Sequence, residues 1–253
     1  MPFGGILVAL TWGLGHWLSK GSLFAGIYTA IGGFVFGAFE QDNNEGNGAE
    51  AIEWIILSKE DGKALLISKD VLEYKPFEDD AMEADWESCS LRKWLNEEFY
   101  DNSFSDEDKL RFSAGEDAVF CLSLEEAQMN FGEYDLYSEA NNCVYKIGYL
   151  CSPSEYAKRI SHYSHWQIAD EYNGLDSHTN PEGGKYLTMI DIYGDKLDDL
   201  DGKIIVAWWL RSQGGSGFSA CYVSSNGFVG ADNWLEMSDE NHIGVRPAIY
   251  VTY

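Results

Sequence analysis

The stretch AWWLRSQGGSGFSACYVSSNGFVGADNWLEMSDENHIGVRP, from Ala207 to Pro247, decides how the fold is interpreted. Two tryptophans and an arginine open it and a second arginine closes it, whereas the residues between are mainly Gly, Ser, Asn and scattered aromatics. The apolar runs IIVAWWL, CYV and AIYVTY in and around it predict the last strands of the domain. Since short helices precede these strands, the sequence predicts an α+β domain of short helices packed on antiparallel sheets.

A β-hairpin is predicted inside this stretch. The Ser-Ser-Asn-Gly sequence at 224–227 suits a tight connection between two strands. Strand alternation places Cys221, Val223 and Val229 on one face. The opposite face carries Tyr222, Ser224, Phe228 and Gly230. We interpret the first face as part of the folding core and the second as a surface that is free to touch a ligand.

This outer face and the residues around it form the predicted binding surface. Aromatic side chains supply contact area at a low cost in conformational entropy, as they do in antibody loops. The predicted binding residues are Ser216, Phe218, Tyr222, Ser224, Phe228, Asp232, Asn233, Trp234 and Glu236. The residues that frame the stretch are predicted to be structural, with each guanidinium tying carbonyls or carboxylates in place. They are Trp208, Trp209, Arg211 and Arg246.

Charge excludes some classes of partner. The 253 residues include 42 acidic and 17 basic side chains, which gives a net charge of -25. Such a surface repels phosphate backbones and anionic lipid headgroups. Nucleic acid is therefore excluded as a partner. The expected ligand is a protein or a glycan, whose identity the sequence leaves open.

Residues 1–39 are predicted to be a transmembrane anchor. They contain Lys20 and no carboxylate, and apolar runs lie on both sides of Ser19–Gly21. Two arrangements fit, because one helix through both runs is too long for a bilayer: a helical hairpin, or one transmembrane helix after an interfacial helix. Lys20 marks the cytoplasmic side, so the acidic part is expected to lie outside the cell membrane. Residues 40–50 are interpreted as a linker and 51–253 as the globular domain.

Local signals predict the elements of the globular part. The Glu-Asp-Gly between AIEWIILSK and KALLISK predicts a β-hairpin. The segment SCSLRKWLNEEFY predicts an amphipathic helix with an apolar face of Leu91, Trp94, Leu95 and Phe99. Serine caps predict further short helices that follow Ser105, Ser123 and Ser152.

No catalytic or metal-binding residue is predicted. The acidic run Asp191–Lys203 fails the EF-hand pattern, because Leu197 stands where the first ligand is required when positions are counted back from Gly202. No cofactor is expected, although calcium in another geometry stays open. The histidines of the polar excursion near His162–Asn180 have no metal-protease motif and are interpreted as incidental.

The five cysteines form no C-x-x-C pair. Cys121 and Cys221 lie in strand-like runs and are predicted to be small core residues. Cys143 and Cys151 flank a candidate hairpin, and a disulfide between them stays open.

Several motifs occur in order: W-x-x-C-S-L-R-K-W-L-N-x-x-F from Trp86, F-C-L-S-x-x-E-A from Phe120, Y-A-K from Tyr156, W-W-L-R-S from Trp208 and G-V-R-P-A from Gly244. With these motifs, residues 51–253 resemble a bacterial family of domains of unknown function. That family is in turn similar to the C-type-lectin-like fold of formylglycine-generating-enzyme relatives and of the variable proteins of diversity-generating retroelements. The resemblance implies a C-type-lectin-like domain whose C-terminal surface displays side chains for recognition. An enzyme related to formylglycine-generating oxidases and a structural envelope domain are the alternatives.

Residues 9–39 resemble a fragment of the CPBP intramembrane metalloproteases, with Trp12 four residues before His16. The paired-glutamate motif and the later histidine motif of that family are absent from the sequence. One imidazole does not make a metal site that activates water. The resemblance therefore implies an inherited anchor and not a protease.

Overall fold

The computed structural model describes residues 34–80, 83–113, 115, 117–132, 136–138, 143–159, 166–167, 203–230, 234–236 and 243–253. Within these ranges the protein is a mixed α+β domain, in which antiparallel sheets predominate and the helices are short. The predicted fold class is confirmed at this level.

The described strands form two larger and two smaller sheets. In chain order they are β1 (Phe34–Phe39), β2 (Glu50–Glu60), β3 (Lys63–Ser68), β4 (Glu73–Tyr74), β5 (Val119–Phe120), β6 (Leu136–Ser138), β7 (Cys143–Tyr145), β8 (Trp166–Gln167), β9 (Ile204–Ile205), β10 (Trp208–Gln213), β11 (Ser219–Val223), β12 (Phe228–Gly230), β13 (Trp234–Glu236), β14 (Gly244–Val245) and β15 (Ala248–Thr252). The larger sheets have the strand orders β1-β2-β3-β15-β5 and β13-β11-β10-β14-β4, and the smaller ones β12-β7-β6 and β8-β9. Strands β10 and β14 pair in parallel, whereas the other described pairs are antiparallel.

The described helices lie between β4 and β8 in the chain. They are α1 (Ser90–Trp94), a π-helical turn (Leu95–Phe99) that continues into α2 (Tyr100–Ser103), then α3 (Asp106–Lys109), α4 (Leu124–Asn130), a 3-10 turn (Ile147–Tyr149) and α5 (Glu155–Lys158). The predicted helix SCSLRKWLNEEFY is confirmed as the run from α1 to α2. Its residues Leu91, Leu95 and Phe99 are buried, whereas Trp94 is half-buried.

The predicted opening hairpin is confirmed. Strands β2 and β3 pair antiparallel, and the turn between them places Asp61 and Gly62 at φ angles of 48° and 76°. Two successive positive φ angles define the tight turn that suits an Asp-Gly dipeptide. Strand β3 then pairs with β15, so the last strand lies in the same sheet as the first described strands, β1 to β3.

Two apolar cores cover opposite faces of the larger sheets. In β10, Trp209 packs in the core that contains Leu66 and Phe77, whereas its neighbour Trp208 packs in the core that contains Leu65. Adjacent residues of a strand point to opposite faces, so a strand that is covered on both sides is apolar at every position. This double coverage explains the uninterrupted apolar run IIVAWWL.

The globular domain begins earlier in the chain than the sequence predicts. Residues 34–39 were expected to belong to the anchor, but they form β1, which pairs with β2 and buries Phe34 and Phe36. Residues 40–50 were expected to be a linker, but they connect β1 to β2, and the Gln41 side chain donates to the backbone oxygens of Glu50 and Ala51. The rest of the predicted anchor, residues 1–33, lies outside the described residues. In the described part of the chain, no helix is long and apolar enough to cross a membrane.

The structure confirms two predicted helix caps and corrects a third. Ser105 and Ser123 each cap a helix in a reciprocal capping box. The third cap was predicted at Ser152, but Ser154 is the residue whose side chain accepts a hydrogen bond, from Ala157 N at 3.0 Å. The backbone of Ser152 accepts from Val71 instead, and Pro153 forms an isolated bridge with that residue. Tertiary pairing therefore moves the helix start by two residues.

Candidate functional site

Among the described residues of the C-terminal segment that was predicted to bind a ligand, the exposed ones lie at one turn. Ser216 and Phe218 are exposed, and Phe218 retains 49% of its accessible surface. The turn Ser216–Ser219 joins β10 to β11 and is held by its own hydrogen bonds. Ser216 N donates to Ser219 Oγ at 3.0 Å, and Ser219 Oγ donates to Ser216 O at 3.1 Å. The aromatic ring of Phe218 thus projects from a preorganised backbone.

The turn is also tied to the rest of the domain. Ala84 N donates to Gly217 O at 3.0 Å. A Cβ atom at Gly217 would lie 3.0 Å from Cγ of Glu83, so the two segments are in close contact. The position of the turn is therefore set by the segment that precedes α1, a contact between residues more than 130 positions apart in the sequence.

The prediction of a free outer face on β11 is wrong. Tyr222 is half-buried and packs against the core that contains Trp209, and burial raises the pKa of its phenol. Ser224 is buried, and its hydroxyl group donates to Phe228 O within the 224–227 turn. Phe228 is half-buried and lies in β12, which pairs with β7 and not with β11. The predicted turn is present, but the two strands that it joins belong to different sheets.

The inner face of this segment is as predicted. Cys221, Val223 and Val229 are all buried in the second core. Two other predicted binding residues, Asp232 and Asn233, are outside the described residues. Only the backbone of Trp234 and Glu236 is described, in β13.

Arg211 joins β10 to the segment that caps α4. Its guanidinium group donates to Cys121 O at 2.9 Å and forms a two-pronged ion pair with Glu126, at 2.9 and 2.8 Å. Glu126 in turn accepts from Ser123 N at 2.8 Å as part of the capping box. The hydrogen bond from Nη2 to Glu126 Oε1 and the second N···O contact, from Nη1 to Oε2, fix orientation as well as distance. These contacts are structural ones of the kind that the sequence predicts for this arginine.

Arg246 is fully buried, with 1% of its surface exposed. Its Nε donates to Ser68 O at 2.9 Å and its Nη2 to Lys69 O at 3.4 Å. The guanidinium carbon lies 5.0 Å from the centre of the Trp208 ring, which is within the range of a cation–π contact. This arginine fixes β14 and the start of β15 against the end of β3.

The described thiols are buried and unsuited to nucleophilic chemistry. Cys89, Cys121, Cys151 and Cys221 are free cysteines. Burial raises the pKa of the Cys89 thiol to about 12 and that of Cys151 to about 11, and it raises those of Cys121 and Cys221 as well. Only the thiolate attacks an electrophile, so thiols with such pKa values stay inert near neutral pH. Cys151 is a free thiol that donates to Lys69 O at 3.3 Å, and the side chain of Cys143, its candidate disulfide partner, lies outside the described part of the structure.

An acidic cluster in the β1–β2 connection serves to fix that loop. Carboxylate oxygens of Glu40, Asp42 and Glu50 lie within 4.8 Å of one another. They already accept hydrogen bonds from the loop: Glu50 Oε2 from Gln41 N at 2.7 Å, and Asp42 Oδ1 from Asn44 N at 2.8 Å. The other metal candidates of the sequence, in the excursion His162–Asn180 and in the acidic run Asp191–Lys203, lie almost wholly outside the described residues.

A groove beside α1 is the second candidate site, and the sequence did not predict it. Lys75, Pro76 and Asp79 line one side, and Lys93, Trp94 and Glu97 line the other. The groove has a volume of about 210 Å³. The ammonium group of Lys75 lies 4.9 Å from the centre of the Trp94 ring. The sequence did not predict this groove for two reasons. Helical spacing assigns Trp94 to the apolar face of α1, and the opposite wall of the groove comes from the segment after β4.

The described structure defines a mixed α+β domain with two covered sheets, an exposed aromatic turn and a polar groove with one tryptophan. A comparison of the sequence with protein families gives a match to residues 61–253, and the chain belongs to the family called Domain of unknown function (DUF6273). The match begins at the turn before β3 and ends at the last residue. No curated protein and no solved structure matches the chain.

Proposed function

We propose that this chain is a recognition domain that binds a protein or glycan ligand outside the cell through the Ser216–Ser219 turn. The observation that carries the proposal is the exposed ring of Phe218 on a backbone fixed by hydrogen bonds and by contact with Ala84. A large side chain that is held in place before binding loses little entropy when a ligand covers it. Among the residues whose side chains the structure describes, the proposed surface is thereby one turn and not a hairpin face.

The position of the turn supports this role. Arg211 and Arg246 anchor the strands on either side of the segment, so the turn stands on a frame that does not depend on its own sequence. A C-type-lectin-like recognition domain is expected to have the same division, between strands that hold the fold and a turn that contacts the ligand. We extend that architecture to this chain as part of the proposal.

Membrane attachment belongs to the same proposal. The apolar sequence before Phe34 contains one charged residue, Lys20, and its composition favours an anchor that places the acidic domain outside the cell. We therefore place the end of the anchor before β1. The enzyme alternative has less support, because the described thiols are held in the protonated form.

The test is a binding screen with two matched variants of the full chain in lipid nanodiscs. Wild-type protein, Phe218→Ala and Leu110→Ala are applied to the same glycan and peptide arrays. Leu110 is 85% exposed and lies after α3, so its variant removes an exposed apolar side chain at a site unrelated to the turn. Retained capture by Leu110→Ala together with at least tenfold weaker capture by Phe218→Ala supports the proposal. Equal capture by both variants, or no capture by wild-type protein, refutes it.

A further inference from the structure

Trp94, which lines the groove beside α1, carries an indole N–H group that makes no hydrogen bond to the described residues. The structure describes the side chains of five tryptophans, and four of them donate the indole N–H to a fixed acceptor. These bonds are Trp54 to Phe36 O at 2.7 Å, Trp86 to Asp117 Oδ2 at 2.8 Å, Trp208 to Tyr149 O at 3.0 Å, and Trp209 to Lys75 O at 2.9 Å. Within the described ranges, the indole N–H of Trp94 has no acceptor.

The walls of the groove are fixed by the fold. Leu91 N donates to Phe77 O at 3.2 Å, which joins the start of α1 to the segment after β4. The hydroxyl of Ser90 accepts from Asp79 N at 2.9 Å and makes a second link between the same two segments. The bond from Trp209 also fixes the backbone of Lys75. A binding site with preformed walls does not require ordering when a ligand enters.

The charges in the groove are mixed and nearly balanced. Asp79, Glu97 and Glu98 supply three carboxylates, and Lys75 and Lys93 supply two ammonium groups. Within the part of the chain that the structure describes, none of these five side chains forms a salt bridge. The groove therefore presents both hydrogen-bond donors and acceptors with little net charge. A ligand made of hydroxyl groups, which donate and accept in equal measure, matches such a lining.

The apolar part of the lining is small. Pro76 and the half-buried ring of Trp94 are its main members, and Lys75 covers one part of the indole face. The volume of about 210 Å³ is below the roughly 300–1,000 Å³ of pockets that hold drug-sized ligands. It suits one small ring with an apolar face and a polar edge.

We propose that this groove binds a single neutral sugar unit of a glycan. The C–H face of the sugar lies against Trp94 and Pro76, the indole N–H donates to a ring or hydroxyl oxygen, and the carboxylates of Asp79 and Glu97 accept from hydroxyl groups. This site is separate from the Phe218 turn. It gives the domain a second ligand contact whose chemistry does not depend on the proposal for that turn.

The test measures saturable binding of small sugars to the full chain in a polyoxyethylene detergent, which carries no sugar headgroup. The probes are the methyl glycosides of glucose, galactose, mannose and N-acetylglucosamine, with tetramethylammonium chloride as a cationic comparator. Binding is measured by saturation-transfer NMR and by quenching of tryptophan fluorescence. Since the sugars are neutral, their affinity should stay constant when the NaCl concentration is raised, whereas a cation would bind more weakly.

The variants separate the groove from the fold. Trp94→Phe keeps an aromatic ring and removes the N–H, so the affinity for the sugar should fall about two- to tenfold, the range of one neutral hydrogen bond. Trp94→Ala should weaken sugar binding more than Trp94→Phe does. If the alanine variant does not fold, Glu97→Gln tests the groove in its place, because it removes a carboxylate that is proposed to accept from the sugar. Glu60→Gln, an exposed carboxylate on β2, is the matched control and should bind as wild-type protein does.

Three results would overturn the proposal: no saturable binding of any glycoside, equal affinity in wild-type protein and Trp94→Phe, or salt-sensitive binding of tetramethylammonium alone. The last result would instead define a cation site. A loss of sugar binding in Trp94→Phe with array capture by the turn intact would show that the two sites are independent. Phe218→Ala should in turn leave the glycoside affinity unchanged.

Discussion

The protein should lose stability steeply above pH 9, and replacing Cys89 by serine should remove a defined part of that loss. Burial raises the pKa of the Cys89 thiol from its ordinary value of 9.0 to about 12, and the side chain is 1% exposed. Serine has no proton to lose in this range. It also keeps the N-cap of α1, where the Cys89 sulfur now accepts from Arg92 N at 3.4 Å.

The magnitude follows from the difference between the two pKa values. The pKa of the native state is above that of the unfolded state, so the stabilising effect of the protonated thiol is complete below pH 9 and is lost as the pH rises toward 12. Between these values the unfolded chain releases a proton that the native protein retains. The free energy of unfolding then falls by about 1.4 kcal/mol per pH unit for this thiol. At pH 10 the loss is about 1.4 kcal/mol, and at pH 7 it is zero.

The assay is urea denaturation of the detergent-solubilised chain at pH 7, 9 and 10, followed by tryptophan fluorescence. The free energy of unfolding of Cys89→Ser relative to wild type should rise by about 1.4 kcal/mol between pH 7 and pH 10. Thiols and tyrosines that do not interact with Cys89 titrate in both proteins and cancel in the difference. Ser103→Ala alters a buried hydroxyl with no titration in this range, so its difference from wild type should be constant. A pH-independent difference for Cys89→Ser would refute the reasoning.

Two further predictions concern contacts between distant segments. Asn96→Ala should lower the free energy of unfolding by about 1–3 kcal/mol, because the amide donates to Val119 O at 2.8 Å and accepts from Ala118 N at 2.8 Å. Thermal unfolding measures this change. A free energy within about 0.5 kcal/mol of wild type, roughly the effect of a neutral surface substitution, would contradict the prediction. Gly244→Ala should destabilise the domain by about 1–3 kcal/mol in the same assay, because a Cβ atom there would lie 2.5 Å from Val71 Cγ1. The site of Gly115 is more open, so the control variant Gly115→Ala should unfold as wild-type protein does.

Local sequence signals predicted the elements whose cause is local. The Asp-Gly turn, the capping boxes at Ser105 and Ser123, and the amphipathic run from α1 to α2 depend on residues within a few positions of one another. The cap at Ser154 was missed because a distant residue, Val71, pairs with the backbone on both sides of Pro153. A competing long-range bond is not visible in a local pattern.

The outer face of β11 was mispredicted for a related reason. Alternation shows which side chains share a face of a strand, but not what covers that face. The segment after β4 packs there, with Phe77 on Trp209 at 5.7 Å between ring centres and Trp209 Nε1 bonded to Lys75 O. Tyr222 is half-buried on that side. The same segment forms one wall of the Trp94 groove, which explains why no local pattern predicted that site either.

The start of the domain was misplaced because composition does not distinguish a membrane segment from a buried strand. The run FVFGAF of β1 has no charge, as a transmembrane helix requires, but its alternating burial and its pairing with β2 are those of a strand. Gly37, at a φ of 70°, lies where a Cβ atom would be 2.5 Å from the Phe104 ring. Gly37 looks typical of a membrane helix, but it is required because the end of α2 and the next residue, Phe104, lie close to the backbone of β1.

The two arginines that frame the C-terminal segment explain how an irregular sequence is held in place. Arg211 binds Glu126 and the backbone before α4, and Arg246 binds backbone oxygens at the end of β3. The hydrogen-bond partners of both arginines precede the segment in the chain, and among the described residues neither guanidinium group bonds to a side chain between the two arginines. A substitution at Phe218 leaves these bonds intact, because the turn is held by serine and backbone groups. We therefore expect changes at this position to leave the free energy of unfolding nearly constant, which is what the proposed recognition surface requires.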